Sequence, residues 1–561
     1  MSVYTNTRSN KPELVKGLTT DRKIRPWVSA TKTFNYIRKD PLIDWLSTYK
    51  RKPELPSITF TNFLCQQGIK FEQNIIQYIE ANISPVVKID SYYSESSVKL
   101  TVQAIKDNVP IIYSAPLKNG ELKCYGVADL IIRKDMLPLF FSDKKYIESL
   151  NLEGDYYIID IKYSSLKTDN DLFLKNEDKE KCYKVQLWLY NKCIEKHVKT
   201  RSKHAFILGR KNVNGGPFDL LGVVDLEQKE PFNISELSRA SIKWVQDVKM
   251  WGNNWCVDPP CKPELYPNMK NKMIPRWISV EKNRLAESLG EITSIYYCGV
   301  IKRNKALSNG VVSWRDKRCN SKILGLGGKI GYTVDRILEI NRQDDIKFLP
   351  TRVSLSLPSE KVICFVDFET LSEVFEDMED VSTPNTESII FCIGLYIYYT
   401  DRKKCEFKQF ICNDNTHDEE FRIMSEFVAT IRKLQDPWLF YWYADKMMWF
   451  RATKRHHRTI HLNLKRWYDL YTVFKDEPIV IKGCFDFKLK SIISSLNANQ
   501  LIKFSYEDSE VTNGMDAQII AWKYYNNKSE YVEEFNKVAY YNKLDCKALY
   551  FIYKFISRIS N

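Results

Sequence analysis

A chain of 561 residues, 44% hydrophobic and 27% charged, is long enough for two or three separate cores and too apolar for a disordered chain. The N-terminus MSVYTNTRSNKPELVKG lacks the apolar core of a secretory signal, and SIIFCIGLYIYY at 388–399, the longest apolar stretch, is too short to span a bilayer, so no membrane partner is expected. The 14 cysteines are scattered, which fits reduced thiols in a cytosol-like compartment better than a disulfide framework.

The net charge of +14 is uneven. Residues 351–561 carry 28 Lys and Arg against 30 Asp and Glu, which leaves 56 against 40, a net of +16, on residues 1–350. Localised positive charge of this size points to a polyanion such as nucleic acid, with a solvated Lys-rich surface as the plain alternative.

In chain order, 29–50 reads as a helix interrupted by a proline and 63–83 as an amphipathic helix. Strands are expected at VKLTVQAI, VPIIYSAPL, LKCYGVADLIIRK and DYYIIDIKYSS, the last two separated by an insertion at 136–154. A helix over KEKCYKVQLWLYNKCIEKH, strands HAFILGRK and FDLLGVVDL, and a helix from Ser235 to Trp255 complete a helix-flanked mixed sheet. The proline-rich 259–272 reads as a connector, and 280–342 as mostly helical with a Gly-turn that loosely resembles a helix-hairpin-helix phosphate grip. A second α/β pattern begins at KVICFVDFET and ends in a helix at about 531–559. The expected division is 1–260, 261–350 and 351–561.

Within YYIIDIKYSS, Asp160 and Lys162 are two residues apart and therefore share a face of an otherwise apolar strand. Asp129 lies on the preceding strand, and Glu72 on the apolar side of its helix with Ile69, Ile76 and Ile79. Gln186 and Tyr190 are i,i+4 on the helix that follows. Three acids and one lysine at core-facing positions are costly, and a divalent cation between the acids relieves that cost. The competing reading is a structural Asp160–Lys162 ion pair with Glu72 reaching solvent.

GIKFE, GVAD, DIK and QLWLY, in this order, resemble the motifs of the PD-(D/E)XK nuclease superfamily in its RecB, Cas4 and λ-exonuclease-like branch. The resemblance covers roughly residues 29–250. It implies a restriction-endonuclease-like α/β domain that cuts DNA with Mg²⁺ or Mn²⁺ held by Asp129 and Asp160, with Glu72 as a further or water-mediated ligand. It also implies that Lys162 orients or deprotonates the attacking water, and that Gln186 and Tyr190 position the DNA or the lysine. The early cysteine of Cas4 proteins is matched here by Asp40, and only Cys256 and Cys261 remain of the late group, too few for an iron–sulfur cluster.

In the last part, VICFVDFET places Asp367 and Glu369 on one strand face, and AYYNKLDCKALY places Tyr541 and Asp545 at i,i+4 on a helix. Asp445 follows an apolar strand in FYWYADKMMW, Asp469 in KRWYDLY is its rival, and the basic run RATKRHHR at 451–458 comes next. This order resembles the DEDDy branch of RNase H-like 3′ to 5′ exonucleases. The resemblance implies an RNase H-like α/β domain in which the four acids hold two metal ions and the tyrosine positions water. A degenerate copy is the alternative.

The combined expectation is a metal-dependent DNA nuclease of repair, recombination or defence against foreign DNA. Its rivals are a nucleic-acid-binding scaffold, or an active first domain carried by a catalytically degenerate, homodimer-forming second one. The Lys, Asn, Ile and Tyr richness resembles proteins of AT-rich genomes, giant DNA viruses among them.

Overall fold

The structure is a computed structural model that describes residues 25–50, 60–89, 93–141, 144–211, 216–219, 221–272, 274–353, 357–358, 360–372, 388–457, 461–476, 478–506, 511 and 513–560. The chain is mixed α/β and divides into two compact units, with the change between Ser288 and Leu289. The segment 261–350, expected as a piece of its own, is shared between them. Leu265, Trp277, Ile278 and Leu285 join the first core, whereas Ile292, Ile295, Val334 and Leu338 join the second.

In the first unit, β1 (Val28–Ser29), β2 (Val87–Lys88), β3 (Ile111–Asn119), β4 (Cys124–Arg133), β5 (Tyr156–Ser165), β6 (His204–Lys211) and β7 (Gly222–Asp225) form one mixed sheet. Its order is β2-β3-β4-β5-β6-β7, with β1 beside β4. Strand β5 is antiparallel to β4 and parallel to β6. Every residue of β5 from Tyr156 to Ser164 is buried, as a strand covered on both faces requires. Tyr163 meets Phe71 of helix Phe60–Asn82 with ring centroids 5.6 Å apart, while Asp160 meets Gln186 of helix Asp178–Ile194.

VKLTVQAI, expected as a strand, lies inside the helix Glu95–Lys106. Its apolar residues fit the helical period as well as the strand period. Val98, Thr101, Ala104 and Ile105 are the buried ones, and a Ser94/Ser97 capping box starts the helix just upstream.

In the second unit, β8 (Phe348–Leu349) pairs only with a short distant strand. The main sheet contains β9 (Val362–Leu371), β10 (Ile389–Tyr399), β11 (Lys404–Ile411), β12 (Trp438–Tyr441) and β13 (Trp467–Asp469), in the order β11-β10-β9-β12-β13. The partner of β8 is β14 (Val480–Ile481). Strand β9 is antiparallel to β10 and parallel to β12. Phe365 packs on Tyr553 of the C-terminal helix Lys528–Ile559, and Phe368, on the opposite face, packs on Trp449 and Phe427.

That helix crosses β10 at Gly394, where an added Cβ would come 2.3 Å from Asn542 Oδ1 and 2.6 Å from Cys546 Sγ. Only a residue without a side chain lets the helix come so close. The Gly-turn of the middle segment, SNGVV, follows helix Val300–Ser308, with Gly310 at a left-handed φ of 69°. Among the described residues no helix is long and apolar enough to cross a membrane.

Candidate metal centres

The first centre forms where β4 and β5 part. Their ladder runs from Arg133–Tyr156 to Leu130–Ile159, and the next pair in that register is Asp129 opposite Asp160. The backbone does not close there. Asp129 Oδ2 instead accepts the Ile161 N–H at 2.6 Å, which turns a ladder end into a carboxylate held in a fork. Asp160 is fully buried, pairs with Lys162 Nζ and accepts from Gln186 Nε2 at 3.2 Å. Gln186 Nε2 also reaches the Tyr190 hydroxyl at 3.0 Å, while Gln186 Oε1 is buried without a partner. The Tyr190 ring lies against Gly126 of GVAD, where a Cβ would come 2.4 Å from Cε1.

Glu72 sits at the edge of the apolar stripe. Phe71, Ile75, Ile76 and Ile79 are buried, Ile69 is 55% exposed, and Glu72 is half-buried at the rim, accepting from the Tyr113 hydroxyl at 3.0 Å. Tyr113 precedes Ser114, whose left-handed φ of 54° lies in mid-strand. Burial pushes the Asp129 carboxyl well up, and Asp160 and Glu72 push it further; burial also raises Glu72. Burial works against charge on Lys162, but Asp160 and Asp129 outweigh it and hold the ammonium above its usual value.

In the second centre, Asp367 and Glu369 point from β9 toward Asp545 of the C-terminal helix. Their carboxylate oxygens lie within 4.8 Å of one another, the one such group of three among the described residues. Asn542 Nδ2 donates to Asp367 Oδ2 at 2.9 Å and to its carbonyl at 3.1 Å, while Gln409 Nε2 holds Asn542 Oδ1 at 2.9 Å. The Tyr506 hydroxyl donates to Asp545 Oδ1 at 2.5 Å, and Tyr541 lies near the same carboxylate. Lys490 Nζ lies 4.2 Å from the centroid of the Tyr541 ring.

Asp445 opens helix Asp445–Arg455, accepting from Trp442 N at 3.3 Å. Burial, with Asp545 and Asp469 nearby, pushes its carboxyl up to about 8. Asp367 and Glu369 are also driven well up, by burial first and then by Asp545 and Asp445. The rival Asp469 is committed elsewhere. It accepts from Tyr471 N at 2.9 Å, Thr472 Oγ1 at 2.9 Å and Tyr443 N at 3.1 Å, which makes it the cap of helix Leu470–Asp476.

The second centre, with three acids in one cluster near Lys490, suits a hard divalent cation, whereas Glu72, Asp129 and Asp160 do not gather into such a group; Asp129 and Asp160 stand there beside Lys162 and the orphaned acceptor Gln186 Oε1. Elsewhere, Asp40 is fully buried and bound by Lys282 Nζ and Asn271 Nδ2, an ion pair joining the two ends of the first unit. Cys256 and Cys261 are exposed on a short bridge. Of RATKRHHR, Arg455 and His456 turn inward onto Glu420, and Arg458 lies outside the described residues.

No protein-family model matches the chain, and no curated protein matches it.

Sequence reasoning passed over Tyr113, Asn542, Tyr506 and Lys490. Asn542 had a signal, since it adjoins Tyr541 on the helix that carries Asp545. Tyr506 and Lys490 had none, because they reach Asp545 and Tyr541 from segments about 40 to 50 residues away that only the tertiary fold brings there.

Proposed function

We propose that the protein is a divalent-metal-dependent DNA nuclease with two carboxylate centres, one on a PD-(D/E)XK-type sheet and one on an RNase H-like sheet. The observation that carries this reading is the group of Asp367, Glu369 and Asp545, one half-buried and two buried acids close enough to share one ion, with Asp445 beside them. The first centre supports the same chemistry through the Asp129–Asp160 fork and Lys162.

Mg²⁺ or Mn²⁺, when bound, would neutralise charge on the scissile phosphate and acidify a water. The protein's own groups do the remaining work. Asp129 and Asp160, and separately Asp367, Glu369 and Asp545, offer ligand oxygens. Lys162 pairs with Asp160 and holds it in place, and from that position it would orient a water or a phosphate oxygen. Asn542 fixes Asp367, and Tyr506 fixes Asp545. The +16 charge on residues 1–350 favours association with a polyanion.

The test is hydrolysis of end-labelled single- and double-stranded DNA in Mg²⁺ or Mn²⁺ by the full chain. Wild type is expected to cut, each of Asp160→Asn and Asp367→Asn to lose the activity of its own centre, and the double variant to be inert. A wild type that binds DNA with steep salt dependence and cuts in no divalent metal would instead be a scaffold.

A further inference from the structure

The second centre departs from a four-acid, two-ion arrangement in what its oxygens already do. Asp367, Glu369 and Asp545 form one group, and Asp445 stands outside it. Asp367 Oδ2 is taken by Asn542 Nδ2 at 2.9 Å, and Asp545 Oδ1 by the Tyr506 hydroxyl at 2.5 Å. Asp445 Oδ2 accepts from Trp442 N at 3.3 Å. Each of these aspartates thus has one oxygen engaged by a donor of the protein and one oxygen left for an ion. Two ions about 3.5–4 Å apart ask more than that, since a carboxylate between them has to face both with its two oxygens.

A cation of the chain's own stands beside Asp545. Lys490, the second residue of helix Leu489–Ala498, is half-buried. Its Nζ lies 4.2 Å from the centroid of the Tyr541 ring and 5.1 Å from that of Tyr506, within the range of cation–π attraction. Tyr506 holds Asp545 through its hydroxyl, and Tyr541 precedes Asp545 by one turn of the same helix. The two rings that cage the ammonium therefore also flank the carboxylate. Burial weighs against charge on Lys490, while Asp545 and Glu369, then Asp516 and Asp367, favour it. All three acids of the group act on this one ammonium, which sets it apart from a solvated surface lysine.

We infer that the second centre is built for one divalent ion, held by Asp367, Glu369 and Asp545, and that Lys490 supplies the positive charge that a second ion supplies elsewhere. This inference rests on the nuclease reading of that centre. In two-ion sites the pair of ions counters charge on both the attacking and the leaving oxygen of a phosphate. An ammonium has the same sign, three N–H donors and no need of ligand oxygens, so it can stabilise an oxygen on which charge develops without a bridging carboxylate. One ion also needs no fourth acid, which matches Asp445 tied back to Trp442 and two oxygens of the group closed by Asn542 and Tyr506. Three carboxylates are balanced by one divalent ion and one ammonium, whereas a second ion would stand beside an ammonium with no carboxylate left for either.

The experiment counts Mn²⁺ ions in the full chain by calorimetry and reads their spacing by electron paramagnetic resonance. Asp129→Asn with Asp160→Asn serves as the background, so that the count belongs to the second centre. One Mn²⁺ per chain is expected there, with the spectrum of an isolated ion, and adding Asp367→Asn is expected to remove it. Lys490→Glu puts a carboxylate where the ammonium was and is expected to raise the count to two, with the spin-coupled spectrum of ions about 4 Å apart. In the same background, Lys490→Met is expected to slow single-turnover cutting about 100- to 1,000-fold, the loss on removing one group aimed at developing charge. Lys490→Arg, which keeps the charge, is expected to lose less. Thermal unfolding checks that each variant folds.

Two ions in the background chain, with Lys490 intact, overturn the inference. So does a spin-coupled pair in wild type that Asp367→Asn abolishes, a measurement that needs no background variant. A folded Lys490→Glu chain that still binds one ion, or a Lys490→Met chain that cuts as fast as its background, overturns it too. In each of these cases the centre still binds metal and only the role of Lys490 falls. If no Mn²⁺ binds in the background chain, or if Asp367→Asn, Glu369→Gln and Asp545→Asn all leave the count unchanged, the reading of the centre falls as well.

Discussion

Substituting Asp445 by Asn tests the electrostatics of the second centre most directly. Asp445 is 6% exposed and its carboxyl is pushed up to about 8 by burial and by Asp545 and Asp469. In the unfolded chain an aspartate titrates near 3.9. At pH 7 the metal-free folded protein therefore holds a proton that the unfolded chain has released. The cost is about 1.4 kcal/mol for each unit between 3.9 and 7, or about 4 kcal/mol. Asn has the same shape and carries no charge, and its amide oxygen can still accept from Trp442 N.

Asp445→Asn is thus expected to stabilise the metal-free second unit by about 2–4 kcal/mol, raising its melting transition by about 5–10 °C. The sign follows from proton uptake on folding. Wild-type stability in EDTA should fall as pH rises from about 4 to about 8, because across that window the folded state binds more protons than the unfolded one. Asp445→Asn should flatten that slope. The assay is differential scanning calorimetry in EDTA from pH 5 to pH 8, repeated with Mn²⁺, where wild type should gain most at high pH and the variant less. A variant less stable than wild type at pH 7 in EDTA, or a wild type whose stability rises across that pH range, would refute the reasoning.

The other expectations concern particular contacts. Lys162→Ala leaves Asp160 buried without its cation, a change that costs about 3–5 kcal/mol. The Asp160→Asn, Lys162→Met pair should restore thermal stability but not metal-dependent cutting, as urea denaturation and a nuclease assay would show. Asp469→Ala removes a helix cap and should cost about 0.5–2 kcal/mol while second-unit Mn²⁺ affinity by calorimetry changes less than twofold; loss of that affinity would make Asp469 a ligand. Gly394→Ala drives a methyl group into Asn542 and should destabilise the second unit by at least 1–3 kcal/mol, with loss of Mn²⁺ binding as Asn542 releases Asp367.

Much of both centres was legible in the chain because the residues that matter break a local rule. Charges in a strand as apolar as YYIIDIKYSS, or acids ending VICFVDFET, are conspicuous where a core residue is expected, and i,i+4 spacing places Gln186 with Tyr190 and Tyr541 with Asp545 on one helix face each. The Glu95–Lys106 helix was misread because a run of eight apolar and polar residues satisfies two periods at once, and the Ser94 cap that decides between them lies outside it. Strand β11 alternates Lys404, Glu406 and Lys408 outward with half-buried residues between, an edge-strand pattern too polar to stand out.

The sequence by itself determined which acids stand at strand ends, which side chains share a helix face, and where the positive charge lies, since these follow from periodicity and composition. The tertiary structure alone decided that β4 and β5 fork at Asp129 and Asp160, and that Asp469 caps a helix while Asp445 turns inward. It alone brought Lys490 and Tyr506 to Asp545. Those outcomes depend on contacts between residues far apart in the chain, where packing and the desolvation of charge, rather than local spacing, set which carboxylates gather and which are satisfied elsewhere.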